Sequence, residues 1–190
     1  MPREREPIVE GLRRLIQRFD DLARDKRPRP RVYLIGAGSL LLEGLVSRDT
    51  SDLDFLCDEE GKLFENQVLS SGVHSHRVRS GLVSMPEGWR ERSREILDLG
   101  TRHVRIFIPD IHDRVVDKVA RGLATDWQDV AAVLDAPPPG FSGETLAERA
   151  RSLIRKPTST VYDESEFREG YERLRRLAGE RSIRVPALGD

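Results

Sequence analysis

The sequence predicts an α+β fold, a mixed β-sheet flanked by helices with a helical extension at the C-terminus. Three observations carry this. Short runs rich in β-branched and aromatic residues recur through the first 108 residues. Longer stretches with apolar residues at helical spacing lie between and after them. Beyond the stiff Ala136–Gly140 stretch (A-P-P-P-G) only helical periodicity remains.

The elements follow in order. Residues 7 to 25 read as an amphipathic helix, with Ile8, Leu12, Leu15, Ile16, Phe19 and Leu22 on one face. Pro28 and Pro30 end it, and Arg31 to Gly36 (R-V-Y-L-I-G) is a short strand. Gly36, Ala37, Gly38 and Ser39 form a tight turn, with Ser39 as N-cap of a helix over Leu40 to Val46. After a polar turn at Ser47 to Ser51, Asp52 to Cys57 (D-L-D-F-L-C) starts with strand alternation. Leu63 to Leu69 suggests a helix, Ser75 to Ser84 a strand, Gly88 to Leu99 a helix, and Arg102 to Ile108 (R-H-V-R-I-F-I) a strand. Ile111, Val115, Val116, Val119, Ala120 and Leu123 line the next helix, with Asp110 near its start, and Asp126 to Leu134 forms a short one after it. Helices over Gly143 to Arg155 and Asp163 to Ala178 and a loose tail complete the chain. Tyr162, Phe167 and Tyr171 fall at helical spacing and are expected to pack these last helices. The organisation expected is a core with an N-terminal helix over residues 1–135 and a helical extension packed on it over 141–180.

Composition excludes several classes. No apolar stretch approaches the roughly 18 residues of a membrane span, and the N-terminus carries no apolar core of a signal peptide. The single cysteine, Cys57, excludes an internal disulfide framework, suits a cytoplasmic protein and reads as a small buried hydrophobe. The net charge of -1 does not advertise a nucleic-acid binder, although residues 1 to 31 carry ten basic against six acidic side chains. His74, His76, His103 and His112 lack cysteine partners and zinc-ligand spacing. Trp89 and Trp127 read as packing residues rather than base platforms.

The informative stretch is Val32 to Asp58. A strand runs into a glycine turn closed by Ser39, a helix follows, and a second strand opens with Asp52 and Asp54. Gly36 and Gly38 let backbone N–H groups point into a concavity, which with the Ser39 hydroxyl suits nucleotide phosphates. Residues i and i+2 of a strand project to one side, so Asp52 and Asp54 present adjacent carboxylates. Such hard oxygens suit Mg²⁺, which is held by few protein ligands together with substrate phosphates. Either feature alone is common. In this order they point together to phosphoryl transfer.

Gly38-Ser39 followed by Asp52-Leu53-Asp54 resembles the signature of the nucleotidyltransferase superfamily, a Gly-Ser turn before an Asp-hydrophobic-Asp pair. The string Arg48-Asp49-Thr50-Ser51-Asp52-Leu53-Asp54 is similar to the R-x-T/S-x-D-I-D form of one branch, which holds the AbiEii-type and MenT toxins and uncharacterised bacterial proteins. Val116-Asp117-Lys118-Val119-Ala120-Arg121, followed by Thr125-Asp126-Trp127-Gln128-Asp129-Val130, is similar to that branch's K-L-A-R … R-D-L-x-D-I pattern. The similarity spans Val32 to Asp135. It implies a nucleotidyltransferase-like sheet, Mg²⁺ on Asp52 and Asp54, and a nucleoside triphosphate at Gly36, Gly38, Ser39, Arg48 and Lys118. It further implies that Asp126 or Asp129 completes the site by orienting or deprotonating the acceptor. The acceptor implied is an RNA, such as a tRNA end, or a protein, and the chain would be the toxin of a toxin–antitoxin pair, with an antitoxin as partner. From spacing alone, Lys118 stacks with Arg114 and Arg121 as a basic edge that faces solvent or a cleft. Asp126 reads equally as a helix N-cap.

One departure stands out. Many polymerase-like members carry a third metal carboxylate on a later strand, whereas Arg102 to Ile108 holds no acid and Asp110 lies just beyond it. Either one metal suffices, or Asp126 or Asp129 supplies the missing oxygen, or the fold survives as an inactive nucleotide- or partner-binding module. An RNA-binding adaptor is a third function class, disfavoured by the balanced charge. The sequence leaves the oligomeric state open.

Overall fold

The computed structural model describes residues 5–47, 53–58, 62–70, 75–77, 83–160 and 162–189. The chain forms two compact units, one of Met1–Val78 with Ser93–Pro109, the other of Arg79–Arg92 with Asp110–Asp190. Ala136–Gly140 lies within the second. No helix among the described residues is long and apolar enough to cross a membrane.

The first unit is a mixed five-stranded sheet with helices against it. Along the chain come α1 (Arg5–Leu22), β1 (Arg31–Ile35), α2 (Gly36–Leu42), β2 (Leu53–Cys57), α3 (Lys62–Ser70), β3 (Ser75–Arg77), β4 (Arg94–Glu95) and β5 (Arg105–Ile108). The strand order is β3-β2-β1-β5-β4. β1 runs antiparallel to β2 with Leu34 opposite Phe55 and Ile35 opposite Asp54, and parallel to β5 with Tyr33 opposite Phe107. Both sheet faces carry buried residues, and one packs against α1 and α3. Phe19 of α1 meets Phe55 of β2 and Phe64 of α3, ring centroids 5.1 and 6.4 Å away, and all three are buried. The other face carries Tyr33 stacked on Phe107 at 5.3 Å, and Asp54 shares that side through its pairing with Ile35.

Several expectations are corrected here, each for a local reason. The strand expected from Arg102 begins at Arg105. Buried Asp20 takes the N–H groups of Arg102, His103 and Val104 on its Oδ1, at 2.8, 2.6 and 3.0 Å, so those residues cap an aspartate instead of joining the ladder. Gly88–Leu99 is not a helix. Gly88 sits at φ +75°, and the chain turns until Arg94 and Glu95 pair antiparallel with Ile108 and Phe107. There Glu95 and Arg105 form a two-pronged ion pair that holds the Glu95 carboxyl below its usual range. Ser39 is not an N-cap. α2 starts at Gly36, and Ser39 lies inside it. Of the expected strand Ser75–Ser84, β3 covers three residues, 78–82 lie outside the described residues, and Val83 and Ser84 are not in a strand. Cys57 is half-buried.

In the second unit α4 (Ile111–Arg121) lies against α5 (Ala124–Asp135), α6 (Gly143–Arg155) and α7 (Glu164–Gly179). Gly122 closes α4 in the left-handed conformation at φ +66°. Leu146, Leu153, Phe167, Tyr171 and Leu174 are fully buried. Burial pushes the Tyr171 hydroxyl pKa up to about 12. The expected loose tail is in fact tied down. Tyr171 donates to Pro186 O at 2.9 Å, Arg175 to Val185 O at 3.2 Å and Arg151 to Ala187 O at 2.8 Å, with Val185 buried.

Candidate functional site

The expected site residues fall into two groups, one in each unit. In the first unit, Gly36 at the end of β1 adopts φ +66°, a conformation that glycine holds without a Cβ penalty. The Asp54 carboxylate lies over its Cα. A Cβ built at Gly36 would approach Asp54 Oδ2 well inside the 3.0 Å that real Cβ atoms respect, with Asp54 Cγ at 3.0 Å and Cβ at 3.1 Å. Register explains the closeness, since Asp54 is paired across the ladder with Ile35, the residue just before the turn. Gly36, Ala37, Gly38 and Ser39 are all buried. The Ser39 hydroxyl donates to Gly36 O at 2.9 Å and so staples the turn onto itself. Arg48 and Asp52 lie outside the described residues, as does His74.

The Mg²⁺ that the resemblance implies finds a hard, half-exposed oxygen donor in Asp54, with only hydrogen beneath it at Gly36. Among the described residues no three His, Cys, Asp or Glu side chains form a ready metal cage. A single carboxylate of this kind fits an ion that takes most of its ligands from substrate oxygens and water.

In the second unit the structure brings Lys118, Asp126 and Asp129 together. Lys118 Nζ donates to Asp126 Oδ1 at 3.2 Å and to Asp129 Oδ2 at 2.7 Å. The lysine and both aspartates are almost fully buried. The basic edge expected along α4 is therefore corrected: Lys118 and Arg114 are buried, and only Arg121 reaches the surface. Asp126 is not an N-cap either, because Leu123 holds that position and Asp126 turns inward to Lys118 and to Arg121, 2.6 Å away. Its Oδ2 is buried and has no hydrogen-bond partner among the described residues. Lys118 has a third N–H that neither aspartate uses. One open acceptor and one open donor thus sit side by side in a dry environment, where each is costly to leave unmade.

Two acids that the sequence did not single out complete this group. Asp117 accepts the Ser84 N–H at 2.8 Å, and Asp113, fully buried, receives a forked pair from Arg92 at 2.9 and 3.0 Å. Burial raises the pKa of both, against the pull of Arg121 on Asp117 and of Arg92 on Asp113. Their spacing is the signal that was available: acids at 113 and 117 repeat one turn apart within an otherwise core-facing helix.

Asp110, the acid just past β5, is committed elsewhere. It caps α4, accepting from His112 N at 3.0 Å and His112 Nδ1 at 2.8 Å. Burial raises its pKa, yet the bonds and charge of His112 outweigh that and hold it below the usual range. His112 Nε2 accepts the Ser142 N–H at 2.9 Å, and its ring stacks on Phe141 at 5.0 Å. Trp89 and Trp127 are both buried, Trp127 under the Arg173 guanidinium, 4.2 Å from the ring centroid.

No curated protein and no solved structure matches the chain. A family model does, over residues 10–168, and it describes a nucleotidyltransferase of unknown function (DUF6036). That match takes in the Gly36 turn, Asp54 and the Lys118–Asp126–Asp129 group. The chain therefore belongs to this nucleotidyltransferase family.

Proposed function

We propose that the protein transfers a nucleoside monophosphate from a nucleoside triphosphate to a hydroxyl of an RNA or protein acceptor, releasing pyrophosphate. The observation that carries this reading is the placement of the Asp54 carboxylate over the bare Cα of Gly36. An acid at the mouth of one strand beside a glycine turn at the mouth of its neighbour is the pairing of hard donor and backbone that a metal-bound nucleotide phosphate would use. Asp54, with Asp52, holds Mg²⁺. When bound, the ion neutralises charge on the transferred phosphoryl group. Gly36 and Gly38 offer backbone at close approach, and Ser39 keeps the turn in shape through Gly36 O. Arg48 acts on the leaving phosphates.

The resemblance assigns Lys118 to phosphate, and within its own unit two aspartates fix the direction of its ammonium group. Asp126, with a free buried oxygen, is the better placed of the two to accept a proton or hydrogen bond from the acceptor, since Asp129 grips Lys118 more closely. The R-D-T-S-D-L-D and K-V-A-R strings support a role as the toxin of a toxin–antitoxin pair, acting in the cytoplasm.

The test incubates the protein with each labelled triphosphate, Mg²⁺, and total cellular RNA and protein, alongside Asp52→Asn and Asp54→Asn variants. Label enters one acceptor class with the unaltered chain alone. A second reading, an inactive nucleotide-binding module, is favoured by one observation: Asp110, the acid following β5, is occupied as a helix cap. Mg²⁺-dependent triphosphate binding without any label transfer selects it.

A further inference from the structure

A groove of about 720 Å³ runs along α7 beside the end of α4 and the start of α5. Gly170, which lines it, lets α7 approach closely. A Cβ there would lie 3.1 Å from Val119 O and 3.6 Å from the Trp127 ring. Four guanidinium groups line the groove, and their commitments differ. Arg121 is held by Asp126, and Arg168 by Glu164 at 2.8 Å. Arg173 and Arg176 have no carboxylate within ion-pair reach among the described residues. This holds although Glu169 and Glu172 stand four residues before them, the spacing at which helical ion pairs form. Glu172 pairs with Arg175 instead. Arg173 forms no ion pair with Glu169 and places its guanidinium carbon over the Trp127 ring, 4.2 Å from the centroid.

This is an unusual state for two neighbouring arginines. Arg173 is exposed, so the plane that faces away from the indole is open to solvent. A guanidinium ordered on an aromatic ring is prepared both to stack a nucleobase and to grip phosphate with its N–H fork. Glu166 and Glu169 line the same groove nearer the start of α7. They repel phosphate but accept exocyclic amines and ribose hydroxyls, which ends any long phosphate track.

We infer that this groove binds a short single-stranded RNA segment, with a base on the Arg173–Trp127 stack and its phosphate between Arg173 and Arg176. The inference rests on the transfer reading above for its purpose, naming RNA as the acceptor, but the groove stands on its own geometry. An acidic protein segment would satisfy the arginines without using the stacked plane, so stacking separates the two.

The experiment measures fluorescence anisotropy of a labelled single-stranded RNA of about 12 nucleotides against the full chain at several salt concentrations. Arg173→Glu/Arg176→Glu weakens binding at least about tenfold and lowers the salt slope by about one. Arg173→Lys keeps the charge and loses the plane, so it gives an intermediate loss at unchanged slope. Both positions are exposed, and circular dichroism checks that the variants fold. Equal affinity in the double variant, no RNA binding by the unaltered chain, or equal displacement by polyglutamate overturns the inference. Asp54→Asn binds RNA like the unaltered chain. RNA labelled equally well by the arginine variants refutes the groove and leaves nucleotidyl transfer standing. Arginine-dependent binding with no transfer refutes the transfer and leaves the groove.

Discussion

Replacing Gly36 by alanine separates the backbone role of the turn from its role beneath Asp54. Two costs are expected. An L-residue at φ +66° pays about 1–2 kcal/mol for the left-handed conformation. The new methyl group also lies inside the 3.0 Å limit from Asp54 Oδ2, so the carboxylate must retreat by about 1 Å. The carboxylate ends a flexible side chain, so the retreat costs little stability but moves the donor off its position. Gly44 supplies the control. It sits at φ +73°, and no described atom lies within 4 Å of its Cβ position, so Gly44→Ala carries the backbone cost alone.

Urea denaturation is expected to give similar losses for Gly36→Ala and Gly44→Ala, each about 1–2 kcal/mol. Label transfer from the preferred triphosphate separates them. Gly44→Ala keeps its rate, whereas Gly36→Ala loses about a hundredfold, the cost of a 1 Å misplacement of a reacting group. A double variant, Gly36→Ala with Asp54→Ala, has no carboxylate to displace and should lose no more activity than Asp54→Ala by itself. Gly36→Ala with full activity would refute the placement of Asp54 in the working site.

Three further outcomes test the second unit. Lys118→Met leaves Asp129 buried without its cation and should cost about 3–5 kcal/mol in urea denaturation, and adding Asp129→Asn should recover part of it because Asp126 retains Arg121; a loss within the range of surface changes would show that the group is solvated. Burial raises the Asp117 pKa in the folded chain above its unfolded value, so its contribution is complete below the unfolded value and is lost as pH rises through the folded one. Asp117→Asn keeps an acceptor for Ser84 N–H and does not titrate, so its stability relative to the unaltered chain should improve as pH rises above about 4, the unfolded value; a gap that shrinks with pH contradicts the assignment. Gly143→Ala, a change that ordinarily favours a helix by up to about 1 kcal/mol, should destabilise here and free the tail to proteolysis, because its Cβ would run into the Arg184 carbonyl.

The parts of the fold that were legible share a property: their residues answer to their neighbours in sequence. β1, α5, α6 and α7 follow from periodicity and local caps, such as Asp163, which accepts the Glu166 N–H, and Ser142, which accepts that of Thr145. The parts that were not legible answer to partners far along the chain. Asp20 takes three N–H groups more than eighty residues away and delays β5. The segment after Gly88 has a helix-like composition, but Arg92 is committed to Asp113 and Glu95 to Arg105. Neither commitment can be read from a local window.

The same distinction governs the candidate site. The Gly36–Asp54 contact was visible because a strand, a turn and a strand are joined in short order, and antiparallel pairing brings their ends together. From spacing alone Lys118 stood on a basic edge facing solvent or a cleft, because periodicity treats a charged position as outward-facing. α4 is instead buried continuously from Ile111 to Val119, packed by α5, α6 and α7. A charged helix can be buried so completely only where each ion meets a counter-charge or donor: Arg92 for Asp113, Ser84 for Asp117, Asp126 and Asp129 for Lys118. Those partners come from α5 and from the segment before α4, so the chain must assemble the whole unit before Lys118 is held. A buried ion group that served stability alone could be replaced as a whole by packed apolar side chains at little cost. A buried lysine beside an aspartate oxygen with no partner among the described residues is the physical reason to look for phosphate and acceptor chemistry there rather than on the solvated surface of the helix.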